Sequence, residues 1–488
     1  MKTKLLGSVF LLIMVSAAYA QQTDSTTNMP PAGQAWTLSQ CIAYAWQNNI
    51  SVKRSEYNVE ESKVVSQQSD FSRLPSVNAQ GSYGYSWGRG LDPVSNRFVT
   101  QEITSSGVGA QASLPLINGM NIHNTSKQNK YSYQASQLDL AKSKNDVALT
   151  VAMYFINVVF SKEQLENAKF QLTSSQQQLE RARKQVAAGA LPRSEELNLD
   201  AQVATNELTV IQRENALNLA LLQLKQSLQI PASQPLDVVV PDLDPEDLLL
   251  DQSRDQIYET ANQLMPEVKS AHLRVESSYY GVKAARGNLL PRLSLNGVLQ
   301  TNYSSAAETE FVPSGTYSYS ANPIAFVNKD PANGVYTYSQ DGEFRDTYGF
   351  SEQFKDNIYR TLSLQLTIPI LNGLQSRTSY QRSVINRERA KLNELEVKNT
   401  LRQSVETAYN DALAAAKTYN SSQRQVQARE EAYRMTSQRY ENGATNYVDY
   451  QVAENELYRA KSDLVRAKFD FIFKKKVLDF YQGKPLEY

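Results

Sequence analysis

The sequence is poor in the residues that form disulfides and bind soft metal ions. Of 488 residues, one is cysteine and two are histidine. The single cysteine, Cys41, excludes a disulfide within the chain, and His123 and His272 lie far apart in sequence. We therefore expect no metal site and no cofactor.

The chain also lacks an excess of charge and a long apolar segment. Fifty basic and fifty acidic residues cancel, which removes the basic footprint of a nucleic-acid binder. Beyond the first 20 residues, no run approaches the roughly 20 apolar residues of a membrane-spanning helix, so any membrane insertion must use strands. No glycine-framed nucleophile or phosphate loop stands out either, and we expect no catalytic residues and no enzyme.

The N-terminus has the pattern of a secretory signal peptide. Lys2 and Lys4 precede an apolar run, and small residues follow up to Ala20. We predict cleavage after Ala20, a flexible segment over residues 21–35, and export from the cytoplasm. The residue after the predicted cleavage site is Gln21, so no N-terminal cysteine is available for a lipid.

The two halves of the chain repeat one another. One set of matches has an offset of 254 positions (Pro115 to Pro369), and a second, upstream set has an offset of 216 (Val52 to Val268). The first set pairs Pro115, Asn118, Gly119 and Gly189-Ala190 with Pro369, Asn372, Gly373 and Gly443-Ala444; the second pairs Val52-Lys53, Leu74-Pro75 and Gly81 with Val268-Lys269, Leu290-Pro291 and Gly297.

Fixed offsets over such distances indicate a tandem duplication. We predict a first structural repeat over 36–240 and a second over 241–488, intertwined in one domain. The offsets differ by 38 positions (254 against 216), which places an insertion between Gly297 and Pro369. The sequence there is loop-like, and the role of the long loop at about 304–357 is open.

Each repeat contains two segments in which apolar and polar residues alternate, as in a two-faced strand. The predicted strands lie at about 76–88, 103–116, 292–303 and 358–370. Such segments suit an outer-membrane barrel, while a soluble antiparallel sheet with one buried face is the alternative. The export signal favours the barrel.

Long helical hairpins follow both strand pairs, at about 120–229 and 374–481. Apolar residues recur there at the three- and four-residue spacing of a coiled coil. Each first helix would be about 100 Å long, and Gly189 and Gly443 mark the turns. Shorter helical stretches, roughly 37–72 and 252–287, precede the strands. The fold class is thus mainly α with membrane β.

Four strands cannot close a membrane barrel, because about eight is the smallest number and open sheet edges do not persist in lipid. The residues therefore exclude a conducting monomer. The residues alone do not determine whether the oligomer contains two, three or four copies of the chain.

The duplicated order of strand pair, proline-asparagine-glycine junction, long helix, glycine turn and returning helix resembles the TolC-like outer-membrane efflux protein family over essentially the whole mature chain. The resemblance implies a homotrimer in the outer membrane that extends into the periplasm. Its twelve-stranded β-barrel would continue into a twelve-helix α-barrel. The implied partners are a periplasmic adaptor protein and an inner-membrane pump, with small-molecule efflux or type I secretion as the function.

The same resemblance implies site residues at the hairpin turns. Tyr440 and Asp449 match gate residues of the family, and Glu195 is the equivalent acid of the first hairpin. Thr445 stands where the family has arginine, and Val452 stands where it has a second acid. These departures affect the part of the closing network that depends on arginine and a second ring of acidic residues.

A purely structural role is an alternative for each of these residues. Asp449 lies where a helix-capping acid is favoured, and Tyr440 continues an apolar seam. By resemblance the adaptor-docking tips are Gly189-Ala190 and Gly443-Ala444, and simple helix-to-helix turns require the same glycines.

The rival function is an exported coiled-coil protein that tethers the cell envelope without conducting. It predicts helical hairpins but gives no reason for four two-faced strands. Within the transport interpretation, efflux of small molecules, efflux of metals and protein secretion all remain open.

Overall fold

The computed structural model describes residues 35–91, 96, 98–100, 102–241, 252–307, 310–345 and 348–486. The predicted signal peptide and all but the last residue of the 21–35 segment lie outside the described residues. The helices are α1 (Leu38–Asn48), α2 (Ile50–Phe71), α3 (Asn121–Ala187), α4 (Arg193–Leu228), α5 (Arg254–Leu264), α6 (Pro266–Gly287), α7 (Phe350–Asp356), α8 (Gln375–Glu441) and α9 (Tyr447–Tyr481). The strands are β1 (Ser76–Ser86), β2 (Arg89–Leu91), β3 (Phe98–Thr100), β4 (Ile103–Asn118), β5 (Arg292–Ser304), β6 (Glu310–Tyr319), β7 (Ala325–Phe326), β8 (Gly334–Val335), β9 (Tyr338–Arg345) and β10 (Tyr359–Thr367).

The tandem repeat of a strand pair followed by a long helical hairpin is confirmed. Helices α3 and α8 each contain 67 residues, and the returning helices α4 and α9 contain 36 and 35. Both long helices start just after a glycine with positive φ, Gly119 and Gly373, and both end just before another, Gly189 and Gly443. None of the helices in the described ranges is apolar enough over a sufficient length to cross a membrane.

The short helical stretches that precede the strands are each broken once, which the apolar spacing did not predict. The breaks lie at Asn49 and Met265, whose backbones are extended, with ψ of 130° and 129°. Met265 precedes Pro266, and a residue before proline is disfavoured in the helical region. At Asn49 the side-chain Oδ1 accepts a hydrogen bond from the N–H of Ser51 instead. The two breaks are separated by the repeat offset of 216, so the duplication extends to them.

The four predicted strands correspond to one antiparallel sheet with the strand order β1-β4-β5-β10. In the first hairpin Ser76 lies opposite Ser113. The residues at the two repeat offsets, Arg292 and Thr367, lie opposite one another in the second hairpin. The two repeats therefore share one pairing register to the residue.

The predicted long loop carries structure of its own, which is a correction to its interpretation as a plain loop. Strands β6 and β9 form an antiparallel hairpin, and Tyr338 contacts the rings of Tyr317 and Tyr319 with centroid distances of 5.8 and 4.9 Å. The short helix α7 anchors the segment, because buried Gln353 accepts a hydrogen bond from the N–H of Ser304 at 2.9 Å.

The chain divides into two compact units, and each unit takes residues from both repeats. One unit comprises Val59–Gln137 and Ser270–Glu396 and contains the sheet. The other comprises the described residues up to Asn58, Leu138–Lys269 and the chain from Val397 onward. Its largest apolar core joins α1, α3, α4 and α9, with Phe155 and Leu224 fully buried. The boundary between the predicted repeats thus differs from the boundaries between the compact units.

Candidate functional site at the hairpin turns

Both hairpin turns are closed by the same backbone motif. Gly189 and Gly443 have φ of 71° and 72°, a conformation that glycine adopts without a steric penalty. The N–H of Ala190 donates to the carbonyl of Gln185 at 2.8 Å, and the N–H of Ala444 donates to the carbonyl of Arg439 at 2.7 Å. These bonds are the long closing bonds of a Schellman motif. All four predicted tip residues are exposed, and they present backbone with little side chain.

The two returning helices start differently. Helix α4 follows Pro192, which makes no side-chain capping bond. Helix α9 follows Asn446, whose Oδ1 accepts from the N–H of Asp449 at 2.9 Å. The hydroxyl of Thr445 donates to the Asp449 carboxylate at 2.8 Å. Asp449 is therefore exposed and engaged in the local cap, where Thr445 binds its carboxylate.

Tyr440 belongs to a tyrosine cluster that lies between the two hairpins. Its ring stacks on Tyr450 with a centroid distance of 5.0 Å and lies 6.1 Å from the ring of Tyr447. Both Tyr447 and Tyr450 are buried among apolar residues of the first hairpin, including Leu179 and Leu199. The ring contacts stabilise the second hairpin itself, and the burial of Tyr447 and Tyr450 against Leu179 and Leu199 joins it to the first.

Glu195 lies beside this cluster. Together with Tyr440, Tyr447 and Tyr450 it lines a half-open cavity of about 490 Å³. Burial, and then the negative charge of Glu195, raise the pKa of Tyr440. The Oε2 atom of Glu195 is buried and has no hydrogen-bond partner within the described chain. The structure thus brings two of the three predicted gate residues together, whereas Asp449 does not line this cavity.

A buried carboxylate about two turns along α9 was missed by the sequence analysis. Glu454 is 7% exposed and accepts a hydrogen bond from Gln178 Nε2 at 2.9 Å. The same nitrogen donates to the hydroxyl of Tyr450, which lies 2.9 Å from the hydroxyl of Tyr433. Burial raises the pKa of Glu454, against the opposing effect of hydrogen bonds from Gln178, Tyr450 and Ser174.

A signal for Glu454 was present in the sequence. It follows Tyr447 and Tyr450 and precedes Leu457 at spacings of three, four and three residues, so it lies on the buried seam of α9. A charged residue at such a position indicates a polar contact between helices. Among the described residues, no group of His, Cys, Asp and Glu side chains could hold a metal ion.

Comparison with known proteins decides the family. Residues 42–228 and 257–471 match the sequence model described as outer membrane efflux protein. The chain belongs to this family. A search of curated proteins gave no significant match.

Solved channel structures have the same fold. The structure of CusC, described with conformational changes that accompany folding and transmembrane channel formation, is 16% identical with a TM-score of 0.71 and covers 94% of this chain and 96% of its own. VceC from Vibrio cholerae is 13% identical, with a TM-score of 0.67 and coverages of 92% and 97%. The open state of MtrE from Neisseria gonorrhoeae is 16% identical, with a TM-score of 0.66 and coverages of 92% and 88%.

Membership in this family makes the chain an outer-membrane efflux channel protein that extends into the periplasm. The family is one of transport proteins rather than enzymes. It also accounts for the feature that the tether hypothesis left unexplained, namely the strand pairs placed before the long helices.

Proposed function

We propose that three copies of the efflux protein assemble into one continuous duct across the outer membrane and the periplasm. The observation that carries the proposal is the sheet β1-β4-β5-β10, whose outer edges on β1 and β10 have no partner in the described chain. Backbone groups at open edges are unsatisfied in lipid. Three copies supply twelve strands and twelve long helices, the composition that resemblance to TolC-like channels implies.

The duct exports small molecules, or proteins by type I secretion. An inner-membrane pump drives the export through a periplasmic adaptor protein. The tips of the two hairpins dock onto this adaptor. This docking is supported by the exposure of all four tip residues, which leaves the backbone accessible, as close docking requires; they are Gly189, Ala190, Gly443 and Ala444.

The gate lies where the tyrosine cluster joins the two hairpins. Tyr440 packs on Tyr447 and Tyr450 within the second hairpin, and these two residues pack against Leu179 and Leu199 of the first hairpin. Glu195 contributes a buried, unpartnered carboxylate oxygen to the same cavity. Contacts of the tyrosine cluster keep the two hairpins together around this cavity, with Glu195 at its wall. Separation of the hairpins opens the duct.

Single-channel current in a planar bilayer tests the gate. We expect small current steps from the wild-type protein and larger steps from Tyr440→Ala, because the alanine removes the stacking contacts. Tyr440→Phe keeps the ring and should remain near wild type. Stable currents that are identical in the wild type and Tyr440→Ala would eliminate the gate assignment and leave the channel.

Asp449 is tested separately as a cation site. If three Asp449 carboxylates converge at the trimer axis, their combined negative potential draws cations. Divalent cations should then block the wild-type current and leave the Asp449→Ala current unchanged. Equal block of both proteins would restrict Asp449 to the helix cap that it forms with Thr445 and Asn446.

A protein that is extracted without detergent and carries no current would favour the envelope tether.

A further inference from the structure

Charge is unevenly distributed where the strands of the main sheet join the helices. The chain as a whole carries fifty basic and fifty acidic residues. The segments 64–76 and 119–127, with their repeat equivalents 280–292 and 373–381, contain six lysines and arginines and one acidic residue, Asp70. We call the six cations the basic belt; they are Arg73, Lys127, Lys283, Arg286, Arg292 and Arg377. All of them except the half-buried Lys127 are exposed.

The basic belt adjoins exposed apolar residues at the end of the sheet. Leu74 and its repeat equivalent Leu290 are 58% and 47% exposed, and Met120 and its equivalent Leu374 are 63% and 59% exposed. Apolar surface of this kind marks a site of interaction with another molecule. Hydrocarbon beside the apolar residues and a polar layer beside the cations would suit both groups, and this is the order of layers at the surface of a lipid bilayer.

The cations of the basic belt form no ion pair with an acidic side chain of the described chain. Arg73 lies 3.4 Å from a ring nitrogen of His123, which carries no negative charge. Further along α8, by contrast, Arg387 pairs with Glu388 at 2.6 Å. The positive charge next to the sheet is therefore not compensated within the chain, and it is complementary to an anionic partner outside it.

Tyrosine rings hold two of these cations in place. The ring centroid of Tyr280 lies 5.2 Å from Nζ of Lys127 and 5.2 Å from Nζ of Lys283. Nζ of Lys283 also lies 4.3 Å from the ring centroid of Tyr279, and Tyr131 stacks on Tyr280 with a centroid distance of 5.4 Å. A cation over an aromatic face is attracted by the ring quadrupole. Because Lys127 belongs to α3 and Lys283 to α6, the Tyr280 ring brings cations from two separate segments to one place.

Four members of the basic belt lie at similar depth below the sheet. Arg286 and Arg377 lie within about 3 Å of the helix ends nearest the sheet, measured along the helix axes. On the same measure Lys283 lies about 6 Å and Lys127 about 9 Å from those ends. The polar layer on each side of the hydrocarbon core of a bilayer is roughly 5–8 Å thick. With the apolar residues at the hydrocarbon boundary, these cations lie within or at the edge of the layer that contains the lipid phosphates.

We propose that the basic belt binds the headgroups of anionic phospholipids in the periplasmic leaflet of the outer membrane, and that this contact fixes the depth of the sheet in the membrane. Basic residues next to a membrane surface are attracted to anionic lipids. Charge complementarity and the adjoining apolar residues both favour a lipid surface as the partner. The proposal rests on the proposed duct only in placing the sheet in the membrane, and it is independent of the gate and of the adaptor.

Lipid association measured with spin labels tests the proposal. The full-length protein is reconstituted into phosphatidylcholine vesicles, and electron paramagnetic resonance compares its association with spin-labelled phosphatidylglycerol and with spin-labelled phosphatidylcholine. The same vesicles are used for single-channel currents. One triple variant removes charge from the basic belt; it combines Lys127→Gln, Lys283→Gln and Arg286→Gln.

Two matched variants serve as controls. The first keeps the charges of the basic belt and changes only the side chains that carry them; it combines Lys127→Arg, Lys283→Arg and Arg286→Lys. The second removes two lysines and one arginine that are exposed on α2 and α8, each more than about 20 Å along its helix from the end nearest the sheet. This distal variant combines Lys53→Gln, Lys417→Gln and Arg424→Gln.

We expect the wild-type protein at low salt to associate with phosphatidylglycerol at least about fivefold more strongly than with phosphatidylcholine, the effect of roughly one cation beside a charged membrane surface. Higher salt should weaken this preference through screening. The charge-removing variant should lower the preference to within about twofold of equality. The charge-conserving and distal variants should retain the wild-type preference.

Four other results would overturn the proposal. They are an equal association of the wild type with both lipids, an equal loss of preference in the distal variant, a loss of preference in the charge-conserving variant, and an unchanged preference in the charge-removing variant. In the last case a changed reversal potential would place the cations in the lumen of the duct.

Inorganic phosphate distinguishes a lipid surface from a general anion site. Displacement of labelled phosphatidylglycerol by phosphate, at an ionic strength where chloride has no effect, would assign a general anion site and overturn the lipid contact. A wild-type protein that prefers phosphatidylglycerol but carries no current would overturn the duct and support the lipid contact. Normal currents without any lipid preference would do the reverse.

Discussion

Two glycines at equivalent strand-to-helix junctions allow one substitution to be compared in two environments. Gly119 and Gly373 both have φ of 60°. A Cβ atom at Gly119 would lie 2.3 Å from the carbonyl oxygen of Gly287 and 2.9 Å from Leu290 Cβ. Within the described chain, no atom lies within 4 Å of a Cβ built at Gly373. The pair separates the effect of backbone conformation from the effect of close packing.

The expected magnitudes follow from these distances. A left-handed backbone costs an alanine roughly 1–2 kcal/mol relative to its preferred conformation, and this cost applies at both positions. At Gly119 the added methyl group also forces two backbones apart, and overpacking adds about 1–3 kcal/mol. We therefore expect Gly119→Ala to lower the free energy of unfolding by roughly 2–5 kcal/mol and Gly373→Ala to lower it by roughly 1–2 kcal/mol.

Urea unfolding in detergent, followed by the helical circular dichroism signal, measures both effects. Gly189→Ala is a further control, because Gly189 has positive φ and no described atom within 4 Å of a built Cβ. The midpoint for Gly119→Ala should lie clearly below those of the other two variants, with an unchanged slope. Equal shifts for Gly119→Ala and Gly373→Ala would refute the role of the Gly287 contact.

Three further predictions concern the helical part. Burial raises the folded-state pKa of Glu454 above its ordinary value of 4.5, so the free energy of unfolding should fall as the pH rises from about 4.5 through the raised pKa. Urea titrations at several pH values should show that Glu454→Gln removes this decline, and an unchanged dependence of the unfolding free energy on pH would contradict the assignment. Burial raises the pKa of the Cys41 thiol to about 12, so iodoacetamide at pH 8 should leave the native protein unmodified and label the urea-unfolded chain, as measured by mass spectrometry; rapid labelling of the native protein would show that the core opens readily. Asn446→Ala should lower the unfolding free energy by about 1 kcal/mol through loss of the helix cap, whereas Asn446→Asp keeps an acceptor oxygen and should lose less.

The sequence predicted the repeated architecture because the features that define it are local and periodic. Alternation with a period of two marked the strands, and three- and four-residue spacing marked the long helices. Glycines such as Gly189 and Gly443 marked the turns because positive φ is needed there. These signals depend only on residues that are close in sequence, so they can be recognised without knowledge of the tertiary contacts.

Features that depend on tertiary contacts were not predictable in the same way. The break at Asn49 rests on a choice between a helical bond and a local side-chain bond. In the loop, the alternation of tyrosine and serine near Tyr317 indicated a strand, but the surrounding glycines and prolines obscured it. The proximity of Glu195 to Tyr440 was suggested by family resemblance alone, because neither residue carries a local signal of the other. Glu454 was overlooked although its seam position was visible.

The equal lengths of α3 and α8 restrict how a protein of this kind can change in size. Deleting one residue from α3 would rotate everything beyond it by about 100° and shift it by about 1.5 Å, which would carry Leu179 away from the tyrosine cluster of the second hairpin. A longer or shorter periplasmic part therefore requires matched changes in α3, α4, α8 and α9, in steps that preserve the seam. The connection between β5 and β10 has no such requirement, and there the second repeat carries the β6–β9 hairpin, which is longer than the β2–β3 pair in the equivalent connection of the first repeat.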